Sequence, residues 1–252
     1  MKTQRLRQTV FGVRRRRGLP LWSANSLALP TGFTFTRSGN GTVFEGSTFA
    51  GRLVVTKGTD VPRFEALSGD RQGLLIEGAR TNLLLRSSTF DNASWTKTRS
   101  SVVADTVVAL GGSATGDELI EDSTASSTHF VSQAITQAAN TTAAYSVWVK
   151  RVSGTRNFRI NVVSGANQLQ GTFDLDAVSS ATAVTGDASA PTSGIIAFPN
   201  GWYRCWVAGI ASAATANPTI QLHLLSGTTE SYSGNGTSSL GLWNAQAEAG
   251  AF

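Results

Sequence analysis

Short runs rich in Val, Ile, Thr and aromatic residues, each closed by a cluster of Gly, Pro, Asn or Asp, recur about every dozen residues along the chain. That spacing leaves no room for helices of ordinary length and suits many short antiparallel strands joined by turns. Strand periodicity is plainest in Tyr145-Ser-Val-Trp-Val-Lys150 and Thr219-Ile-Gln-Leu-His-Leu224, where one face is apolar and the other mixed. After Phe90 the pattern predicts strands at 117–121, 129–136, 144–151, 156–163, 171–175, 194–197, 202–211, 218–225 and 240–248. Eight or nine strands at this spacing make a two-sheet sandwich.

Ahead of them come shorter pieces at 33–36, 42–44, 52–56, 61–64 and 73–77, with Gly39-Asn40-Gly41 and Gly58-Thr59-Asp60 at the turns. Such residues tolerate the positive φ of tight hairpins, so these pieces read as a small β module. The 252 residues suffice to bury a core without covalent staples. Cys205 is the one cysteine, which rules out an intramolecular disulfide and suits a small buried apolar role. Nothing approaches the roughly 20 consecutive apolar residues of a membrane helix. Nor does the start resemble an export signal, because Arg14 to Arg17 follow the short apolar stretch at Val10–Val13.

Charge is segregated. Of the 21 Lys and Arg residues, Lys2, Arg5, Arg7, Arg14, Arg15, Arg16 and Arg17 fall in the first 17 positions with no acid among them, leaving 14 bases against 16 acids elsewhere. The net charge of +5 is therefore the property of an arm, and the body is slightly acidic. The six arginines are the expected docking residues. Guanidinium groups pair bidentately with carboxylates, so an acidic protein face ranks ahead of nucleic acid as their partner.

No motif points to catalysis. His129 and His223 lie in different predicted strands and outside any arrangement that would set a base beside a nucleophile. Asp174 and Asp176 share one side of a strand, the minimal ingredient of a glycoside hydrolase, but spacing alone assigns no activity. Asp117, Glu118, Glu121 and Asp122 read as a solvated acidic edge in preference to a calcium site. No catalytic residue, metal or cofactor is expected.

The segment Gly73-Leu-Leu-Ile-Glu-Gly-Ala-Arg-Thr-Asn-Leu-Leu-Leu-Arg-Ser87, followed by Phe90-Asp-Asn-Ala-Ser-Trp95, resembles one that recurs in bacteriophage head-fibre, spike and tail-fibre proteins. The resemblance extends to Arg52-Leu-Val, Val61-Pro-Arg-Phe64, Tyr145 to Lys150, Gly201-Trp-Tyr-Arg-Cys205 and Leu240 to Gly250, spanning about residues 33 to 252. It implies an all-β chain in three parts: a basic attachment arm (1–26), a β collar (27–88) and a jelly-roll β-sandwich of carbohydrate-binding type (89–252). It further implies a non-enzymatic virion protein, either a head spike, fibre or decoration subunit or a tail adhesin for host glycans. Its partners would be capsid, portal-vertex or tail proteins, with a homotrimer by analogy with phage fibres. Relatives often run on past the Gly-Ala-Phe ending, so the sandwich is expected to project outward from the arm. Sugar-binding jelly rolls stack pyranose rings on aromatic side chains. Trp95 and Tyr232, in loop-like contexts, are the expected platforms, while Trp148, Trp202, Trp206 and Trp243 are expected in the sandwich core.

Overall fold

Alternating apolar and polar side chains send every second residue of a strand into a common interior, and that period organises the chain from residue 96 onward. The computed structural model describes residues 81–250 in full and, ahead of them, the backbone of four short strands. Of these, β1 (Gly41–Glu45) pairs with β2 (Leu53–Lys57), and β3 (Phe64–Ala66) with β4 (Gln72–Leu74). The arm arginines Arg5, Arg7, Arg14, Arg15, Arg16 and Arg17 and the piece expected at 33–36 lie outside the described residues.

Twelve strands follow: β5 (Thr96–Thr98), β6 (Ser100–Val108), β7 (Ala114–Glu121), β8 (His129–Ala134), β9 (Thr142–Ser153), β10 (Asn157–Ser164), β11 (Asn167–Asp174), β12 (Ser179–Thr185), β13 (Ser189–Ala197), β14 (Trp202–Ile210), β15 (Thr219–Leu225) and β16 (Ser239–Ala249). The first sheet has the order β12-β11-β10-β15-β8-β5 and the second β13-β14-β9-β16-β7-β6. Neighbouring strands are antiparallel throughout both sheets. The chain changes sheet at both sides of the sandwich, from β5 to β6 and from β12 to β13. This is the expected all-β jelly-roll sandwich, with more strands than the sequence disclosed.

Between the sheets, Phe158, Phe173, Leu222, Val147, Val207 and Leu240 meet in one apolar core. Removing large apolar side chains of this kind from water stabilises by about 1.5–3 kcal/mol each. Cys205 lies fully buried in that core, as expected. Gly171 keeps the layers close, since a Cβ there would stand 2.9 Å from Val207 and 3.0 Å from Phe173. Trp148 and Trp202 are buried too, but not between the sheets. They form a separate cluster with Val107 and Leu110, against which Phe198 and Trp243 pack. Register explains the difference: Trp148 sits opposite Arg204 and Trp243, while its strand neighbours Val147 and Val149 fill the core. The expectation that these tryptophans fill the sandwich core is corrected to a cluster on the second sheet's outer side.

The segment 82–95 is fastened to the sandwich. Asn82 donates from Nδ2 to the Ala245 carbonyl at 3.0 Å, and its Oδ1 accepts from the Ala247 and Leu84 N–H groups at 2.9 and 3.1 Å. Gln133 exchanges two hydrogen bonds with the Leu85 backbone, and buried Asp117 accepts from the Phe90 N–H. Leu84, Phe90 and Trp95 then enter the core. Residues 82–88, grouped by the sequence with the preceding collar, thus pack as part of the sandwich.

Candidate functional site

Neither aromatic side chain expected to stack on a sugar offers a free face. Trp95 is 1% exposed, packs 4.9 Å from Phe90 and donates its indole N–H to the Arg86 carbonyl. Tyr232 is buried against His129, with the Arg156 guanidinium 4.4 Å above its ring. Its hydroxyl donates to Glu121 Oε2 at 2.7 Å. Glu121 also receives two hydrogen bonds from Arg156 and one from the Asn235 N–H. Burial pushes the Glu121 carboxyl upward, but the Arg156, Tyr232 and Asn235 donors outweigh it and hold the acid below its usual range. Tyr232 thereby pins its loop to the sandwich. The glycan-stacking role expected for Trp95 and Tyr232 is corrected to a packing role.

The acidic edge is likewise committed. Asp117 accepts from the Phe90 and Asp105 N–H groups, Glu118 from the Ser239 hydroxyl and Asp122 from the Thr124 N–H. Among the described residues no group of three or more His, Cys, Asp or Glu side chains could hold a metal ion. Asp174 accepts from the Asp176 and Ala177 N–H groups, which hold its carboxyl below the usual range, and Asp176 pairs with Arg151.

A different surface stands out, on the outer face of the first sheet. Because Phe158, Ile160 and Val162 point inward on β10, Arg159 and Asn161 point outward. Pairing aligns them in two rows across four strands: Phe130, His223, Arg159 and Thr172, then Ser132, Gln221, Asn161 and Gln170. At about 4.8 Å per strand the rows run on the order of 14 Å. Phe130 is partly exposed and stacks on the His223 ring, with centroids 4.5 Å apart and planes at 28°.

One amide ties the centre together. Gln221 Oε1 accepts from Asn161 Nδ2 and His223 Nε2, both at 3.1 Å. The other ring nitrogen, Nδ1, lies 3.5 Å from Glu230 Oε1. That carboxylate gives its charge to Arg159 at 2.7 Å. Burial, helped by Arg159, pushes the His223 imidazole down to about 3, so the ring is neutral at physiological pH. Asn161 and His223 are 2% and 1% exposed, yet Asn161 Oδ1 and His223 Nδ1 have no hydrogen-bond partner in the protein. A buried polar atom without a partner costs about 1–3 kcal/mol. The side chains of this strip that a ligand can reach are the partly exposed Phe130, Ser132, Gln221, Gln170 and Thr172 around them.

The sequence shows His223 only as a histidine outside any catalytic motif and does not mark Phe130, Arg159, Asn161 or Gln221. The available signal was alternation on two central strands, where Arg159 and Asn161 interleave with Phe158, Ile160 and Val162, and Gln221 and His223 with Ile220, Leu222 and Leu224.

No family model matches the chain, and no curated protein matches it. Several solved structures do. The enzymatically active domain of bacteriophage CBA120 tailspike protein 4 is 13% identical with a TM-score of 0.40, the match covering 67% of this chain and 21% of that one. The CBM22-1 xylan-binding domain from Paenibacillus barcinonensis Xyn10C is 13% identical with a TM-score of 0.39, covering 69% and 97%. The CBM22-1 and GH10 modules of a Clostridium thermocellum xylanase, complexed with xylohexaose, are 14% identical with a TM-score of 0.38, covering 67% and 28%. This chain thus spans about a fifth of the tailspike chain and nearly all of the isolated xylan-binding domain. Similarity at this level is one of β-sandwich layout and transfers no residue's role.

Proposed function

We propose that this chain is a non-enzymatic structural protein of a bacteriophage particle, a spike, fibre or decoration subunit, whose sandwich binds carbohydrate on the outer face of its first sheet. The observation that carries the binding role is the outward-facing row of partly exposed polar side chains, Ser132, Gln221 and Gln170, beside the partly exposed ring of Phe130. A sugar offers hydroxyls to the polar row and an apolar C–H face to the ring. The virion role is supported by the motif at residues 73–95, whose Asn82, Phe90 and Trp95 have clear duties in the sandwich.

A non-enzymatic role accords with the carboxylates. A glycosidase needs one acid held protonated near neutral pH. Asp174 is held ionised by backbone donors, and Asp176 and Glu121 are tied to Arg151 and Arg156. On the head such a protein would decorate the shell; at the tail tip it would serve as an adhesin for host glycans.

The test is adsorption of the full-length protein to host cells and to an immobilised glycan panel, compared with Gln170→Ala and Phe130→Ala. Binding that both substitutions weaken supports the carbohydrate role, and silence across the panel removes it. A cryo-EM map of the particle tests the virion role, which fails if no density fits this sandwich.

A further inference from the structure

We infer that the outer face of the second sheet carries a separate site for an acidic sugar, in which Arg204 pairs with the carboxylate and Trp206 stacks on the ring. This site lies on the opposite side of the sandwich from the polar row of the first sheet and does not depend on it.

Register places both residues. Cys205 and Val207 enter the core, so Arg204 and Trp206, which alternate with them on β14, point outward. Trp206, expected in the core, is part-exposed instead. Across the sheet Arg204 lines up with Ile196 and Trp148, and Trp206 with Gly194, Ser146 and Gln246. Gly194 decides how the indole lies. A Cβ there would stand 2.7 Å from Cε2, Cζ2 and Nε1 of Trp206 alike. A Cβ on this face rises out of the sheet, so a ring equally close at three atoms lies across the glycine with its other face turned outward. Covering a glycine of an edge strand accounts for the inner face of the indole. Its outer face is a flat apolar platform that suits the C–H face of a pyranose.

Arg204 is the second, independent observation. Four arginines of the sandwich are half-buried, and Arg151, Arg156 and Arg159 each pair with a carboxylate. Among the described residues Arg204 pairs with none. Its Nη2 donates to the Ser146 hydroxyl at 2.7 Å and to Gln246 Oε1, and the guanidinium stands 5.3 Å from the Trp148 ring. Those bonds use both Nη2 hydrogens. The Nε–H and the two Nη1 hydrogens bond to nothing among the described residues, and neither nitrogen is sealed from solvent. Burial pushes the guanidinium down to about 10, and Glu248 opposes this from beyond ion-pair reach, so Arg204 is a cation at neutral pH. A cation held in place, short of water and without a counter-ion favours an incoming carboxylate over a neutral hydroxyl. Alternate residues of a strand stand about 7 Å apart, which lets one sugar rest on Trp206 and reach Arg204 with its carboxylate. A neutral sugar would engage the platform alone, and an acidic peptide the cation alone.

The experiment is calorimetric titration of the full-length protein with oligogalacturonate and oligosialate, beside neutral galacto-oligosaccharide and polyglutamate. Wild type is compared with Arg204→Gln, Trp206→Ala and Phe130→Ala. At least one acidic sugar should bind the wild type more tightly than the neutral sugar or polyglutamate does. Arg204→Gln should weaken that binding about tenfold or more, as for a lost hydrogen bond to a charged group. Trp206→Ala should weaken it as well, and Phe130→Ala, on the other sheet, should leave it unchanged. In the wild type the Trp206 indole N–H resonance, assigned by its loss in Trp206→Ala, should move during the titration, a readout independent of how well Arg204→Gln folds. Failure of both acidic sugars to bind, equal binding of polyglutamate, an unmoved Trp206 resonance, or loss of acidic-sugar binding in Phe130→Ala each overturns the inference. Neutral-glycan binding that Phe130→Ala abolishes, with no acidic sugar bound, overturns it too and leaves the reading of the first sheet standing.

Discussion

Burial at single positions decides which aromatic and polar residues bind and which hold the fold. Loop context suggested exposure for Trp95 and Tyr232, but both loops fold back over the sandwich and close on their own aromatic ring. Composition could not reveal this, because it depends on how the 86–95 segment folds back to offer the Arg86 carbonyl and on Glu121 arriving from 111 residues away. Trp95→Ala should therefore cost about 3–5 kcal/mol in urea unfolding, the usual loss for a large buried aromatic side chain, and leave glycan affinity unchanged. At the second loop the charged pair dominates. Arg156→Ala leaves Glu121 buried without its counter-ion, and a loss of about 3–5 kcal/mol is expected. Tyr232→Phe removes one hydrogen bond to the same carboxylate and should cost only about 1–2 kcal/mol. Equal losses in the two variants would mean that the ion pair contributes nothing beyond the hydroxyl. The residues of the proposed site were hidden for the opposite reason. Phe130, Gln170 and Gln221 are ordinary residues in alternating strands, and only the cross-strand register brings them onto one face.

Strands were legible in proportion to how much they bury. All nine strands expected after Phe90 are present, most with ends moved by a few residues. The three that the pattern missed, β5, β6 and β12, all run along sheet edges. An edge strand has one neighbour and often one solvated face, so apolar alternation weakens; β12 is exposed at every residue and reads as a loop. The contrast makes a prediction for neighbouring strands. On β11, Gly171→Ala drives a methyl group into Val207 and Phe173 and should destabilise by about 1–3 kcal/mol. On β12, Ala183→Lys meets only solvent and should stay within about 0.5 kcal/mol of wild type. Thermal and urea midpoints check both, and a large loss at Ala183 would show that β12 is covered in solution. The motif at 73–95 was legible as a resemblance, but its purpose was not. Asn82 serves β16 as a substitute strand partner beside the register shift between Trp243 and Gln246, and no local pattern encodes that clamp.

For the whole molecule, stability depends on where one imidazole's proton goes. Burial, with Arg159 beside it, pushes the His223 imidazole from an ordinary value of 6.5 down to about 3 in the folded state. The unfolded chain takes up that proton as the pH drops below 6.5, while the folded chain does not, so folding stability must fall with pH from 6.5 toward 3. The slope from one such group is about 1.4 kcal/mol per pH unit. Carboxylates overlap the lower part of this window with both signs. Glu121, held below its usual range, adds a loss as it protonates, and Asp117, which burial raises, stabilises once it is protonated. Their contributions cancel when the wild type is compared with His223→Phe, a shape-compatible ring beside Phe130 that cannot titrate. The difference in urea-unfolding free energy between the two proteins should shrink by about 1.4 kcal/mol per unit from pH 6.5 to 4.5, to the wild type's disadvantage. Parallel curves would mean that the native imidazole protonates as freely as the unfolded one.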